Sequence, residues 1–148
     1  MVTLTIISLL AAMLMPALAY TKRRTQATAV SNDLRVLAGA FNVYAHEVGS
    51  WPAEVDAGVA PPEMAGRIAS VLWTRKSPIG GQYNWDSNQV HYGVRYKAVI
   101  AISGTTAFPF VQDISVLEAI DRAIDDGVLT TGNFRLGAND EPIFIIAQ

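Results

Sequence analysis

The apolar and polar positions divide the chain into three stretches. Met1–Tyr20 carries no charged side chain. A helix of about 20 apolar residues spans roughly 30 Å, the hydrocarbon thickness of a bilayer. Thr3, Thr5 and Ser8 fit such a helix, because their hydroxyls bond back to helix carbonyls. Lys22-Arg23-Arg24 then stops apolar burial. Beyond it, Ala27, Val30, Leu34, Leu37, Phe41, Tyr44 and Val48 recur at alternating spacings of 3 and 4, a stripe on one helix face. Gln26, Ser31, Asn32, Arg35, Asn42 and Glu47 occupy the other face. Gly49-Ser50 and Pro52 end the helix. The pattern predicts one helix over residues 1–48, on the order of 70 Å long. Its apolar half needs lipid or other subunits, and its amphipathic half needs the chain's own remainder.

The remainder, residues 51–148, predicts a small head. Pro61-Pro62 opens a helical segment with Met64, Ile68 and Val71 or Leu72 on one side. Ser77–Gly81 reads as a turn. Residues 82–86 and 90–103 read as strands, with Asp86-Ser87-Asn88 turning between them. Val94, Tyr96, Ala98, Ile100 and Ile102 share one face of the second strand. Asp113 is placed to cap a helix whose inner face is Ile114, Leu117, Ile120 and Ile124, ending at Asp126-Gly127. Residues 133–136 and 143–147 predict a closing hairpin around residues 137–140. The expected fold is α+β: a long N-terminal helix packed on a small antiparallel sheet. Its parts are an apolar half-helix (1–20), an amphipathic half (21–50) and the head (51–148), with Val30, Leu34, Leu37, Phe41, Tyr44 and Val48 joining helix to head.

Composition narrows the function classes. The 148 residues are 51% hydrophobic and 16% charged, which excludes an intrinsically disordered chain. There is no cysteine, so disulfides, cysteine-zinc sites and thiol chemistry are excluded. The net charge of −2 gives no broad electrostatic reason for nucleic-acid binding. Residues 1–48 carry four basic side chains (Lys22, Arg23, Arg24 and Arg35) against two acidic, whereas Asp113, Glu118, Asp121, Asp125, Asp126, Asp140 and Glu141 against two basic make the C-terminus acidic.

Met1–Tyr20 admits three readings. A cleaved secretory signal fits Ala17-Leu18-Ala19 but lacks a basic start. A single-span anchor is the second, and a helix that assembles into a polymer is the third. Residues 10–17 (LAAMLMPA), the basic run, Ser31–Ala38 (SNDLRVLA), Phe41-Asn42-Val43-Tyr44 and Gly49-Ser50-Trp51-Pro52 follow one another in an order that resembles type IV pilins. The similarity is greatest to the pseudopilins of type II secretion, and covers about the first 52 residues. The stretches 77–86 and 124–134 also resemble pseudopilin-like elements. The family carries a basic leader and a glutamate at the fifth mature position. Aligning on Pro16 puts that glutamate before Met1, and Thr5 is no carboxylate, so a start inside the full protein is expected, the alternative being a chain that lacks the glutamate.

The resemblance implies a helical homopolymer whose core is Leu4, Ile6, Ile7, Leu9, Leu10, Met13, Leu14 and Pro16. It also implies residence in the inner membrane before assembly, work with a pilus or secretion machinery, and an extracytoplasmic position afterwards. Around Ser8–Pro16 the assembled helix is expected to open, as in pilins. The other reading is a monomeric, membrane-anchored, extracytoplasmic ligand-binding module.

Candidate chemistry is sparse. No G-x-S-x-G, Walker or Rossmann pattern occurs, and no catalysis is expected. His46 reads as a solvated residue and His91 as a structural one. No cofactor is expected. Calcium alone has candidate oxygen ligands, Asp86, Asn88, Asp125, Asp126, Asp140 and Glu141 in expected loops, and pseudopilins commonly hold that ion. Lys22, Arg23 and Arg24 read as interfacial anchors. Trp51, Trp73 and Trp85 are expected half-buried at the helix–sheet seam.

Overall fold

In a computed structural model, which describes residues 2–148, the protein is α+β. α1 (Val2–Val48) runs unbroken for 47 residues and is followed by α2 (Ser70–Thr74), β1 (Gln82–His91), β2 (Val94–Ser103), α3 (Ile114–Ile124), β3 (Phe134–Leu136) and β4 (Pro142–Ala147). The four strands form one antiparallel sheet in the order β1-β2-β4-β3. α1 and α3 cover one face.

The stripe on α1 packs as its spacing predicts. Val30, Leu34, Leu37 and Phe41 are fully buried, together with Ala27, and Tyr44 is half-buried. Val48 is not part of this seam: it sits exposed on the last turn, beyond the sheet. Ser31, expected on the solvated face, is buried and satisfies its hydroxyl on the Ala27 carbonyl. Gly49 ends the helix in the left-handed region (φ 81°), its amide bonded to the Ala45 carbonyl at 2.9 Å. Phe41 stacks on Trp85, with ring centroids 3.9 Å apart, and leans on Trp73 at 5.7 Å. Trp73 and Trp85 are wholly buried and only Trp51 is half-buried, so the aromatic seam is deeper than expected.

Three other expectations need correcting. The segment opened by Pro61-Pro62 is not one helix. A 3₁₀ turn (Pro62–Met64) and α2 are separated at Gly66, whose φ of 76° a continuing helix does not allow. Met64 and Trp73 bury, Leu72 is half-buried, and Val71 points to solvent. The first hairpin turns at Tyr92-Gly93 (φ 48° and 80°), as a two-residue turn with both residues left-handed. Asp86-Ser87-Asn88 therefore lies inside β1. Its polar residues suggest a turn, but the constant register with β2 carries the strand through them.

Finally, Tyr96 does not share the face of Ala98, Ile100 and Ile102. Asn88 lies at φ 59° and its ladder position opposite Lys97 is unpaired. The pairing of β2 with β4 shifts register between Ala98 and Val99. Tyr96 joins Val99, Ala101, Ile143 and Ile145 in a second cluster on the opposite face, and Val94 is exposed. Ile114, expected on the inner face of α3, is exposed on its first turn; the remaining elements follow the local signals. Asp113 caps α3 through the amides of Ser115 (3.1 Å) and Val116 (3.4 Å). Leu117 and Ile120 bury, and β3 and β4 form the closing hairpin.

Candidate functional site

The first half of α1 stands free of the head. Leu4, Ile6, Ile7, Leu9, Leu10, Met13 and Leu14 are each more than half exposed, and Pro16 is exposed as well. By length and composition this helix can cross a membrane, and none of its apolar window is buried in the fold. Burying such side chains from water gains about 1.5–3 kcal/mol for each large one, and an exposed apolar surface of this extent is of the kind that lipid or protein covers. In the single chain the helix is continuous through Pro16, although proline has no amide to offer the Ala12 carbonyl. Ser8 already bonds back to the Leu4 carbonyl at 2.8 Å, and Thr21 to that of Ala17 at 2.9 Å.

The second half is fastened to the head by polar contacts that the apolar stripe does not announce. Asp33 is buried; its carboxylate accepts from the Tyr83 hydroxyl at 2.9 Å and from Arg75 at 2.7 Å. Burial, reinforced by the Asp33 charge, pushes the Tyr83 hydroxyl far above its ordinary range, so it remains a donor. Gln26 donates to the Pro78 carbonyl and Arg35 to that of Ala123. At the top, Arg67 pairs with Glu47 at 2.6 Å and lies over the Tyr44 ring. Asp33 was legible only as one polar residue inside the 3–4 pattern, beside Leu34. The rigid junction is thus placed between the free half-helix and the sheet. Lys22, Arg23 and Arg24 lie on the exposed turn just below it.

The calcium candidates are not brought together. Asp86 is buried in mid-β1, taking a bond from Asn84 at 2.7 Å and facing His91 Nε2 at 3.3 Å. Asn88 is exposed on the same strand, and its carbonyl accepts from Arg95. Asp125 accepts from the Asn133 amide, and Asp126 from the Val128 amide and the Thr131 hydroxyl. Asp140 accepts from Tyr92 at 2.7 Å, and Glu141 from Ser103 at 2.6 Å. Among the described residues no group of three or more His, Cys, Asp or Glu side chains is placed to hold a metal ion. His91 is buried, with Nδ1 accepting from the Ala138 amide, and His46 is exposed.

Sequence reasoning also missed Asp121, which is fully buried on α3. Neither of its carboxylate oxygens meets a donor at hydrogen-bonding geometry among the described residues. Burial, with Asp126 and Asp125 nearby, raises it from 3.8 to about 6.

Comparison with family models, curated proteins and solved structures finds no match to this chain.

Proposed function

We propose that the chain is a structural subunit of a type IV pilus-like or pseudopilus helical filament, assembling through the free half of α1. One observation carries this reading: a single unbroken helix (Val2–Val48) is buried against its own head from Ala27 to Phe41 and wholly exposed and apolar before Tyr20. A membrane anchor alone needs a span, and a short linker to the head serves it. Rigid continuity through Thr21–Gln26 holds the apolar half at a fixed angle to the head, which a regular helical assembly requires of every subunit.

In this reading the subunit waits in the inner membrane with its head on the extracytoplasmic side. An assembly machinery draws it out, and Leu4, Ile6, Ile7, Leu9, Leu10, Met13 and Leu14 exchange lipid for the same segment of neighbouring copies. Against lipid the apolar gain is small, and close packing drives the exchange. No reaction is assigned to the protein; its work is polymerisation. Electron microscopy of the intact protein and of a form beginning at Thr21 tests the proposal. Thin filaments are expected from the first and none from the second, and filaments that survive the deletion refute it. Intact mass separates the reading from a cleaved signal: residues 1–20 remain in the mature chain, and a chain beginning at Tyr20 refutes it.

A further inference from the structure

The level at which the free half-helix meets the head carries a second surface. A cleft of about 570 Å³ opens between α1 and α3, with Tyr20, Arg23 and Arg24 on one wall and Glu118, Ala119 and Arg122 on the other. Its charge is not balanced internally. Glu118 is already paired with Arg122 at 3.2 Å. Among the described residues, Arg23 and Arg24 have no acidic side chain within ion-pair distance. The cleft therefore presents two uncompensated guanidinium groups beside the last residue of the apolar stretch.

Around the other side of α1, at the same level, Lys22 and Gln26 stand beside Val111 and Asp113. The Asp113 carboxylate caps α3, and among the described residues Lys22 is in no ion pair. Val111 is 77% exposed and Ile114 45% exposed, although they flank the start of a buried helix face. The loop leading to Val111 is pinned to the head. Phe110 bridges to Gly80, and a Cβ at Gly80 or Gly104 would come within 3.1 Å of the backbone at Pro109 or Phe110. The underside of the head is thus a rigid surface with apolar tips and a basic cleft, continuous with the membrane-spanning half of α1.

We infer that this underside is a lipid seat: the cleft between α1 and α3 binds the anionic headgroup of a membrane phospholipid, with Val111 and Ile114 resting in the interface. The inference rests on the membrane residence of α1 in the proposed function and specifies how the head sits before assembly. The occupant follows from chemistry. Phosphate oxygens match the forked guanidinium donors of Arg23 and Arg24. The acyl chains of the same molecule continue down the apolar face that starts at Tyr20, an aromatic residue suited to the headgroup level. A soluble anion satisfies the arginines but not Val111 and Ile114. Seating fixes the tilt of α1 and keeps the apolar half at one depth, and extraction into a polymer must release it.

The chain has no cysteine, so single spin labels report unambiguous positions. Full-length protein carrying Val111→Cys, Leu10→Cys or Ser50→Cys is reconstituted in phosphatidylcholine vesicles with and without phosphatidylglycerol. Collision with oxygen and with a water-soluble nickel chelate reads depth. Position 10 is expected in the hydrocarbon in both lipids, and position 50 in water in both. Position 111 is expected to move from water to the interface only when phosphatidylglycerol is present. Each basic residue near an anionic surface shifts such an equilibrium about fivefold, so Arg23→Gln with Arg24→Gln is expected to lower the seated-to-free ratio roughly 25-fold. Added inorganic phosphate is expected to leave position 111 where it is. Position 111 aqueous in both lipids, with position 10 in the bilayer, overturns the seat and leaves the membrane reading standing. So does a lipid response that survives the arginine replacements, or one abolished by millimolar phosphate. Position 10 in water overturns both.

Discussion

Asp33 offers the most discriminating test of how the helix is fastened to the head. Its carboxylate receives the Tyr83 hydroxyl, which is wholly buried, and Arg75, whose side chain is about half exposed (48%). In Asp33→Ala the arginine regains water, and its lost pairing costs no more than about 1 kcal/mol. The tyrosine cannot: a buried hydroxyl left without an acceptor costs about 1–3 kcal/mol. The expected loss is about 2–3 kcal/mol, a large share of the 5–15 kcal/mol typical of a domain. Tyr83→Phe alone costs about 1 kcal/mol, because Asp33 retains Arg75. The decisive quantity is the double variant. With Asp33 already gone, removing the hydroxyl deletes an orphaned polar group, so Tyr83→Phe becomes neutral or stabilising in that background. Urea unfolding of the form beginning at Thr21, followed by the fluorescence of Trp73 and Trp85, measures all four proteins. A slope of roughly 1.5 kcal/mol/M turns the Asp33→Ala loss into a midpoint shift of roughly 1–2 M. Tyr83→Phe costing the same with and without Asp33 refutes the coupling, and with it the assignment of Asp33 as the polar fastening.

Three further outcomes are expected. Phe41→Ala removes the ring stacked on Trp85 and is expected to cost about 3–5 kcal/mol, with tryptophan emission shifting to the red; a loss below 1 kcal/mol contradicts the packing described. Asp121 is raised to about 6 in the folded chain, so the folded state binds the extra proton between about 4 and 6, and stability falls as pH rises through that window. Asp121→Asn is expected to raise the urea midpoint at pH 7.5 and shrink its change between pH 7.5 and pH 4.5; an unchanged pH response excludes Asp121 as the source. In assembled filaments the stretch from Ser8 to Pro16 is expected to lose helical bonding, with Pro16→Ala altering stiffness or helical rise. A filament map with i→i−4 bonds unbroken from Leu4 to Tyr20, apart from Pro16, rules out the opened segment.

The elements with short-range causes were legible along the chain. The 3–4 spacing from Ala27 to Phe41 is the geometry of one helix face. Gly49 supplies the left-handed residue that ends it, and Asp113 an oxygen within reach of two free amides. The β3–β4 hairpin needs no more than two short apolar runs about a turn. The free half-helix was equally plain, because twenty residues without a charge need no tertiary contact to be recognised. What depended on residues distant in sequence was decided by the fold. Asp33 lies 50 positions from Tyr83, and only the docking of α1 on β1 turns that polar residue inward. Asp86, Ser87 and Asn88 have the composition of a turn, yet strand pairing with β2 and the neighbouring His91 hold them in mid-strand and move the reversal to Tyr92-Gly93. Tyr96 packs on the second face, against simple alternation, where β2 shifts its register against β4 between Ala98 and Val99. Local propensity differs by tenths of a kcal/mol to about one between such alternatives. Burying a tryptophan or satisfying a carboxylate outweighs it, and those gains exist only once the helix and the four strands are packed together.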